Sequence, residues 1–160
     1  MAGSTTKKAI IRRFDKEALA GYVNPFSYLQ LTGVELLSAQ GNVVLVPYQE
    51  LKTVSFVRDF DDSPQTGRRT FNTRPKMEGL WISLQFRDGD VLEGVLPNNL
   101  LQLDSHGFTV IPPDPYSNQQ RIFVPRVALR AVEVLGVVGS PLKKRKAKPA
   151  AREQIGLFEE

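Results

Sequence analysis

Residues 80–138 read LWISLQFRDGDVLEGVLPNNLLQLDSHGFTVIPPDPYSNQQRIFVPRVALRAVEVLGVV, and the periodicity of this stretch decides the fold. Trp81 to Phe86 alternates with a period of two, Arg87-Asp88-Gly89-Asp90 is a turn, and Val91 to Leu96 resumes the pattern. Two apolar runs joined by Asp-Gly predict a hairpin, with Gly89 supplying the positive φ that a tight turn demands. Gly107 to Ile111 predicts a third strand, closed by Pro112-Pro113, whose missing amide donors end a ladder. Arg121 to Val124 predicts a fourth strand, stopped by Pro125. Ala131 to Leu135 predicts a fifth.

Residues 8–60 carry the same ordered landmarks. Phe14 corresponds to Phe86, Gly21 to Gly94, Gly33–Leu37 to Gly107–Ile111, and Val44–Pro47 to Ile122–Pro125. Pro47 to Val54 and Pro125 to Val132 are both seven steps. Landmarks in one order with nearly constant gaps predict an internal duplication with a period of roughly 70 to 75 residues. Trp81, Phe86, Phe108 and Phe123 are spaced as core positions, and no ligand is needed to explain them.

Composition narrows the function classes. With 160 residues and 41% hydrophobic content, the chain is large enough to bury a core. Cysteine is absent, which excludes a disulfide framework, a thiolate nucleophile and a cysteine-based zinc site. No apolar run reaches the ~18 to 20 residues of a membrane span, and MAGSTTKKAI lacks the apolar core of a signal peptide. These features predict a cytoplasmic protein with no membrane partner. The net charge is +4, but residues 141–160 hold six cations against three carboxylates, so most of the excess belongs to the tail.

Catalysis finds little support. His106 is the only histidine, and Asp104, Ser105 and His106 lie too close along an extended chain to converge as a triad. The carboxylates are scattered, and neither a phosphate loop nor a metal-ligand spacing is present. A protein that is not an enzyme and takes no metal or cofactor is expected. Nucleic-acid binding has two candidate segments. Arg68, Arg69, Phe71, Arg74 and Lys76 interleave cations with an aromatic ring, a combination suited to phosphates and a stacked base; an ordinary solvated linker whose arginines offset Asp59, Asp61 and Asp62 is the favoured reading. Lys143, Lys144, Arg145 and Lys146 form the second.

The order of hairpin, glycine-centred strand, glycine-initiated strand, loop, strand, one-turn break and final strand resembles the Sm-like small barrels of Sm and Hfq proteins. The chain also looks like a bacterial family of such paired repeats for which no activity is established. The resemblance implies an all-β fold of two tandem small β-barrels: an N-terminus over 1–7, barrels over 8–60 and 80–138, a polar joint over 61–79, and a disordered basic tail over 139–160. Gly21 and Gly94 are then expected where a long strand bends. The stretches Pro47-Tyr48-Gln49-Glu50 and Pro125-Arg126-Val127-Ala128 lack the lysine and histidine of the Hfq RNA pocket. Self-association through edge strands, making a homo-oligomer, is the other property the resemblance implies.

The tail segment Gln154-Ile155-Gly156-Leu157-Phe158 resembles the peptide by which bacterial replication and repair proteins grip the β sliding clamp. That resemblance implies that Gln154 hydrogen-bonds in a polar subsite, Ile155 shields the peptide's edge, and Leu157 and Phe158 fill a hydrophobic pocket. The competing expectation is that Ile155, Leu157 and Phe158 fold back onto a barrel. Together these readings predict an adaptor whose tail docks on the sliding clamp while the barrels hold a further protein or nucleic acid. The alternatives are a regulator that binds DNA or RNA and a structural module that oligomerises.

Overall fold

The computed structural model describes residues 6–60, 69–99, 101, 103–113 and 118–139. The described residues form an all-β fold of two antiparallel sheets with no α-helix, and no helix is long and apolar enough to cross a membrane. The strands are β1 (Lys7–Arg13), β2 (Leu19–Val23), β3 (Gly33–Ser38), β4 (Val43–Pro47) and β5 (Leu51–Val57), then β6 (Gly79–Phe86), β7 (Val91–Leu96), β8 (Gly107–Val110), β9 (Gln119–Pro125) and β10 (Leu129–Val138). A one-turn 3-10 helix, Arg126–Ala128, separates the last two.

Local chemistry sets the turns. Gly89 adopts φ 99° between β6 and β7, where its amide donates to the Phe86 carbonyl and the Asp90 amide reaches the Asp88 carboxylate. Neither Gly21 nor Gly94 has a positive φ, and it is the missing Cβ that both positions require. A Cβ on Gly21 would lie 2.5 Å from the Leu37 carbonyl oxygen, and one on Gly94 would lie 2.7 Å from Cβ of Val110. At both positions the neighbouring strand comes too close for any side chain.

The pairing pattern of the first half recurs in the second. β5-β1-β2-β3-β4 is the strand order of residues 7–57, and β10-β6-β7 continues to β8 through the Val95–Ile111 bridge and on to β9. Gly33 faces Pro47 as Gly107 faces Pro125, and Ile11 faces Val54 as Leu84 faces Val132. The register corrects one landmark. Arg13 faces Leu51 as Phe86 faces Leu129, so Phe86 corresponds to Arg13; Phe14 corresponds to Arg87, their amides donating to Glu50 and Ala128.

The two halves are joined by a strand pair. β5 pairs antiparallel with β9, with Val54 opposite Phe123, Ser55 opposite Ile122 and Phe56 opposite Arg121. Alternation along β9 sends its side chains into two cores. Phe123 packs with Ala9, Ile11, Val34, Leu36 and Val54 of the first half, whereas Ile122 and Val124 pack with Ile82, Leu84 and Phe86 of the second. Phe14 crosses the other way and packs against the second core. Of the aromatics expected in the core, Phe86 and Phe123 are fully buried, and Phe108 packs at the margin of the second cluster. Trp81 is the correction: it is half-buried because its indole N–H needs a partner, which it finds 3.1 Å away at the Glu93 carboxylate.

Because Phe123 belongs to one half by sequence and to the other by packing, the halves are expected to unfold together. Phe123→Ala should lower stability by about 3–5 kcal/mol. In a urea titration, Trp81 fluorescence, which reports on the second half, should shift together with far-ultraviolet circular dichroism; two separate transitions would contradict the shared core.

Candidate interaction edges

The residues singled out for chemistry are largely taken up by packing. His106 lies in the turn before β8, stacks on Tyr48 of the first half at 4.8 Å between centroids, and offers its carbonyl to the Arg126 amide. Among the described residues, no group of three or more His, Cys, Asp or Glu side chains is placed to hold a metal. A cleft of about 1080 Å³ runs between the halves, with Phe26, Tyr28 and Phe56 on one wall and Asp104, His106 and Arg121 on the other. Lys7 and Arg121 are balanced there by Glu78 and Asp104, so the cleft has no excess charge of either sign. Burial, and after it the charge of Asp104, raises the Tyr28 phenol well above its ordinary range against an opposing hydrogen bond with Thr109. The phenol is therefore a neutral wall of the cleft.

The joint folds back on the second half. Phe71 meets Trp81 edge to face at 6.1 Å and donates its amide to the Glu93 carboxylate, while the Arg69 carbonyl accepts the Glu93 amide at 2.7 Å. The Arg69 guanidinium lies 3.9 Å from Asp90, and Arg74 donates to the Val137 carbonyl. Lys76 is exposed. The structure thus brings Arg69, Phe71 and Arg74 onto the β6–β7–β10 sheet and engages each of them there. Arg68, Lys143, Lys144, Arg145, Lys146, Gln154, Ile155, Leu157 and Phe158 lie outside the described residues.

One cluster escaped sequence reasoning. Lys52 on β5 places Nζ 2.7 Å from Asp88 and 2.5 Å from Asp90, with the rings of Phe14 and Phe86 at 5.7 and 5.2 Å. Arg87 lies over Phe14 at 4.0 Å and donates to the Gln49 and Val127 carbonyls. These cations tie the β6–β7 turn of one half to the other. The only hint in the sequence is Lys52 as the one charged residue of β5, and the two aspartates it meets are 36 and 38 residues away, beyond any local pattern.

Among the described residues, two strand edges have no strand beside them. Among those residues, β4 ends the seven-stranded sheet and β10 ends the three-stranded one, each paired with a strand on one side only, while the Arg74 guanidinium takes the Val137 carbonyl of β10. Counting from the two prolines, β4 corresponds to β9 and β10 to β5. Phe123 and Val54 are fully buried in the seam, yet their counterparts Leu45 and Val132 are 48% and 41% exposed, and Val43 and Val134 reach 64% and 60%. Long apolar edges of this kind are templates for strand addition.

Residues 5–136 match a family of unknown function, DUF6982. The chain belongs to that family. Nothing among curated proteins or solved structures matches it. The match spans both edges and ends within β10.

The Lys52 cluster makes stability depend on acidity. Burial raises the Asp88 carboxyl, but the hydrogen bonds from Lys52 and from backbone amides, that of Asp90 first among them, together with the charge of Lys52, outweigh it and hold the group below the ordinary aspartate value of 3.8. The folded protein therefore keeps this charge at a pH where the unfolded chain is already protonated. The contribution is complete above that value and lost as pH falls through the lowered one. Lys52→Met should lose about 1–2 kcal/mol at neutral pH, and its deficit relative to the parent should shrink in urea titrations below pH 3.8. A deficit that persists unchanged into strong acid would contradict the ion pair.

Proposed function

We propose that this chain is a non-enzymatic, cytoplasmic adaptor built from two Sm-like small barrels that arose by internal duplication. The seam between β5 and β9 makes the barrels one rigid body, so the outer strands are held at fixed positions for partners to extend. The observation that carries this reading is the pair of apolar edges, β4 and β10, that have no strand beside them among the described residues, in a molecule whose Lys52 cluster is spent on tying its halves together. Strand addition gives affinity through the backbone and selectivity through alternate side chains, which suits a binding module rather than a catalyst.

The second contact of the adaptor is the peptide Gln154-Ile155-Gly156-Leu157-Phe158. Its similarity to sliding-clamp-binding peptides supports docking on the bacterial β clamp, with Leu157 and Phe158 in the pocket and Gln154 at its polar rim. The Lys143-Lys144-Arg145-Lys146 run just before it supplies positive charge suited to nearby DNA.

Calorimetry of the full chain against the β clamp tests the adaptor. Binding is expected for the parent and for Leu45→Lys, whose change lies on β4, and loss of binding is expected for Leu157→Ala/Phe158→Ala. Equal silence of the parent and the double variant would refute clamp docking. Heat that disappears steeply with added salt in both would instead indicate binding through phosphate contacts.

A further inference from the structure

We infer that the cleft between the halves is a binding site for an apolar peptide, and that its occupant is this chain's own segment Gln154-Ile155-Gly156-Leu157-Phe158. The docking stands on the cleft and the tail alone; its consequence for the sliding clamp rests on the adaptor reading.

The cleft is built like a peptide site. Its volume of about 1080 Å³ lies at the upper end of what ligand sites offer, ~300–1,000 Å³. The first half contributes Phe26, Leu29 and Phe56 to its lining, and the second contributes Val95, Leu96 and Leu103. Leu29 and Phe56 pack against the first core, and Leu96 and Leu103 belong to or pack against the second, so these walls are fixed from behind. Phe26 is different. Its amide donates to the Asn24 carboxamide oxygen at 2.9 Å, which fixes the loop, yet the residue is 89% exposed. An aromatic side chain held open on the wall of a cleft gains by being covered.

Position, reach and charge name the occupant. Val138 faces Gly79 at the end of β10, and Gly139, at φ 108°, packs so closely on Glu78 that a Cβ there would lie 2.5 Å from the Glu78 Cγ. Glu78 lines the cleft, so the chain leaves β10 at the rim of this site. Ile155 follows sixteen residues after Gly139. A connection of that length spans up to about 50 Å and keeps the segment near the cleft at a concentration on the order of 1 mM. The five residues carry no charge, which suits a lining whose charges balance, and carboxylates stand on both sides of them at Glu153 and Glu159. Lys7 and Arg121 are exposed in the lining, and no ion pair among the described residues engages either of them.

Leu157 and Phe158 cannot fill the cleft and the pocket of a clamp at once. Docking therefore holds the peptide in reserve and lowers its apparent affinity for the clamp by the fraction docked.

The chain has no cysteine, so a nitroxide attached through Glu159→Cys labels the full chain at one place. The label should broaden the amide signals of Phe26, Leu29, Leu103 and Thr109 at every dilution, and those of Val43 to Leu45 far less. Leu157→Ser/Phe158→Ser, or Phe26→Ser alone, should remove most of that broadening while leaving the circular dichroism unchanged. Equal broadening in the labelled parent and the double variant would overturn the inference. So would broadening centred on Val43 to Leu45 or Val132 to Val134, which would seat the segment on a strand edge, or broadening that fades on dilution, which would make the contact one between copies. In calorimetry, Phe26→Ser should bind the β clamp about threefold or more tightly than the parent; equal affinities would overturn the competition. The labelling needs no clamp, so the two failures are separable: cleft signals that broaden in a chain the clamp ignores uphold the docking and refute the adaptor reading.

Discussion

The antiparallel pairing of β5 with β9 is the constraint on which the rest of the structure depends. Without it the molecule would be two small sheets with four open edges, each half too short to bury much of its own apolar surface. With it, β5 gains a neighbour on both sides, Phe123 enters the first core, and Ile122 and Val124 close the second. Full burial of a phenylalanine side chain is worth about 1.5–3 kcal/mol in transfer alone, so Phe123 is itself a substantial part of what holds the halves together. The Lys52 cluster and the stacking of His106 on Tyr48 lie across the same division and fix its geometry.

The seam also separates what is buried from what is presented. β5 and β10 occupy corresponding places after corresponding prolines, yet one is covered on both faces and the other is exposed along most of its length. The difference does not arise within the strands themselves, since each pairs with the first strand of its own half in the same register. It arises because one of them has met a β9. The described edges thus show an unfinished pairing pattern, and the apolar residues left exposed on them are what the proposed binding module would use.

Elements with a local cause were legible in the sequence. The Asp88-Gly89 turn, the proline stops and the paired glycines each depend on φ, a missing donor or a missing Cβ, and such causes act within a few residues. The need for a missing Cβ at Gly21 and Gly94 is legible, but the strand that crowds each of them is invisible until the sheet closes. Phe14 was aligned one residue out, because a turn tolerates a shift that the β1–β5 ladder does not. The seam was not legible at all. Val54 and Val132 look equivalent as residues, and nothing in their own neighbourhood says which will be covered.

The candidate site divides in the same way. The joint cations and Phe71 were recognised as a group, but their use in holding the joint to Trp81, Glu93 and Val137 depends on tertiary contacts. The tail peptide is the opposite case, a short linear pattern whose proposed meaning lies in a partner rather than in the fold. Amide hydrogen exchange measures the unequal fates of β5 and β10 directly. In dilute protein, the amides of Val54 to Phe56 and their partners on β9 should exchange only through global unfolding, while those of Val132 to Val134 that face the open edge should exchange far faster. Equal protection of the two strands at low concentration would contradict the account.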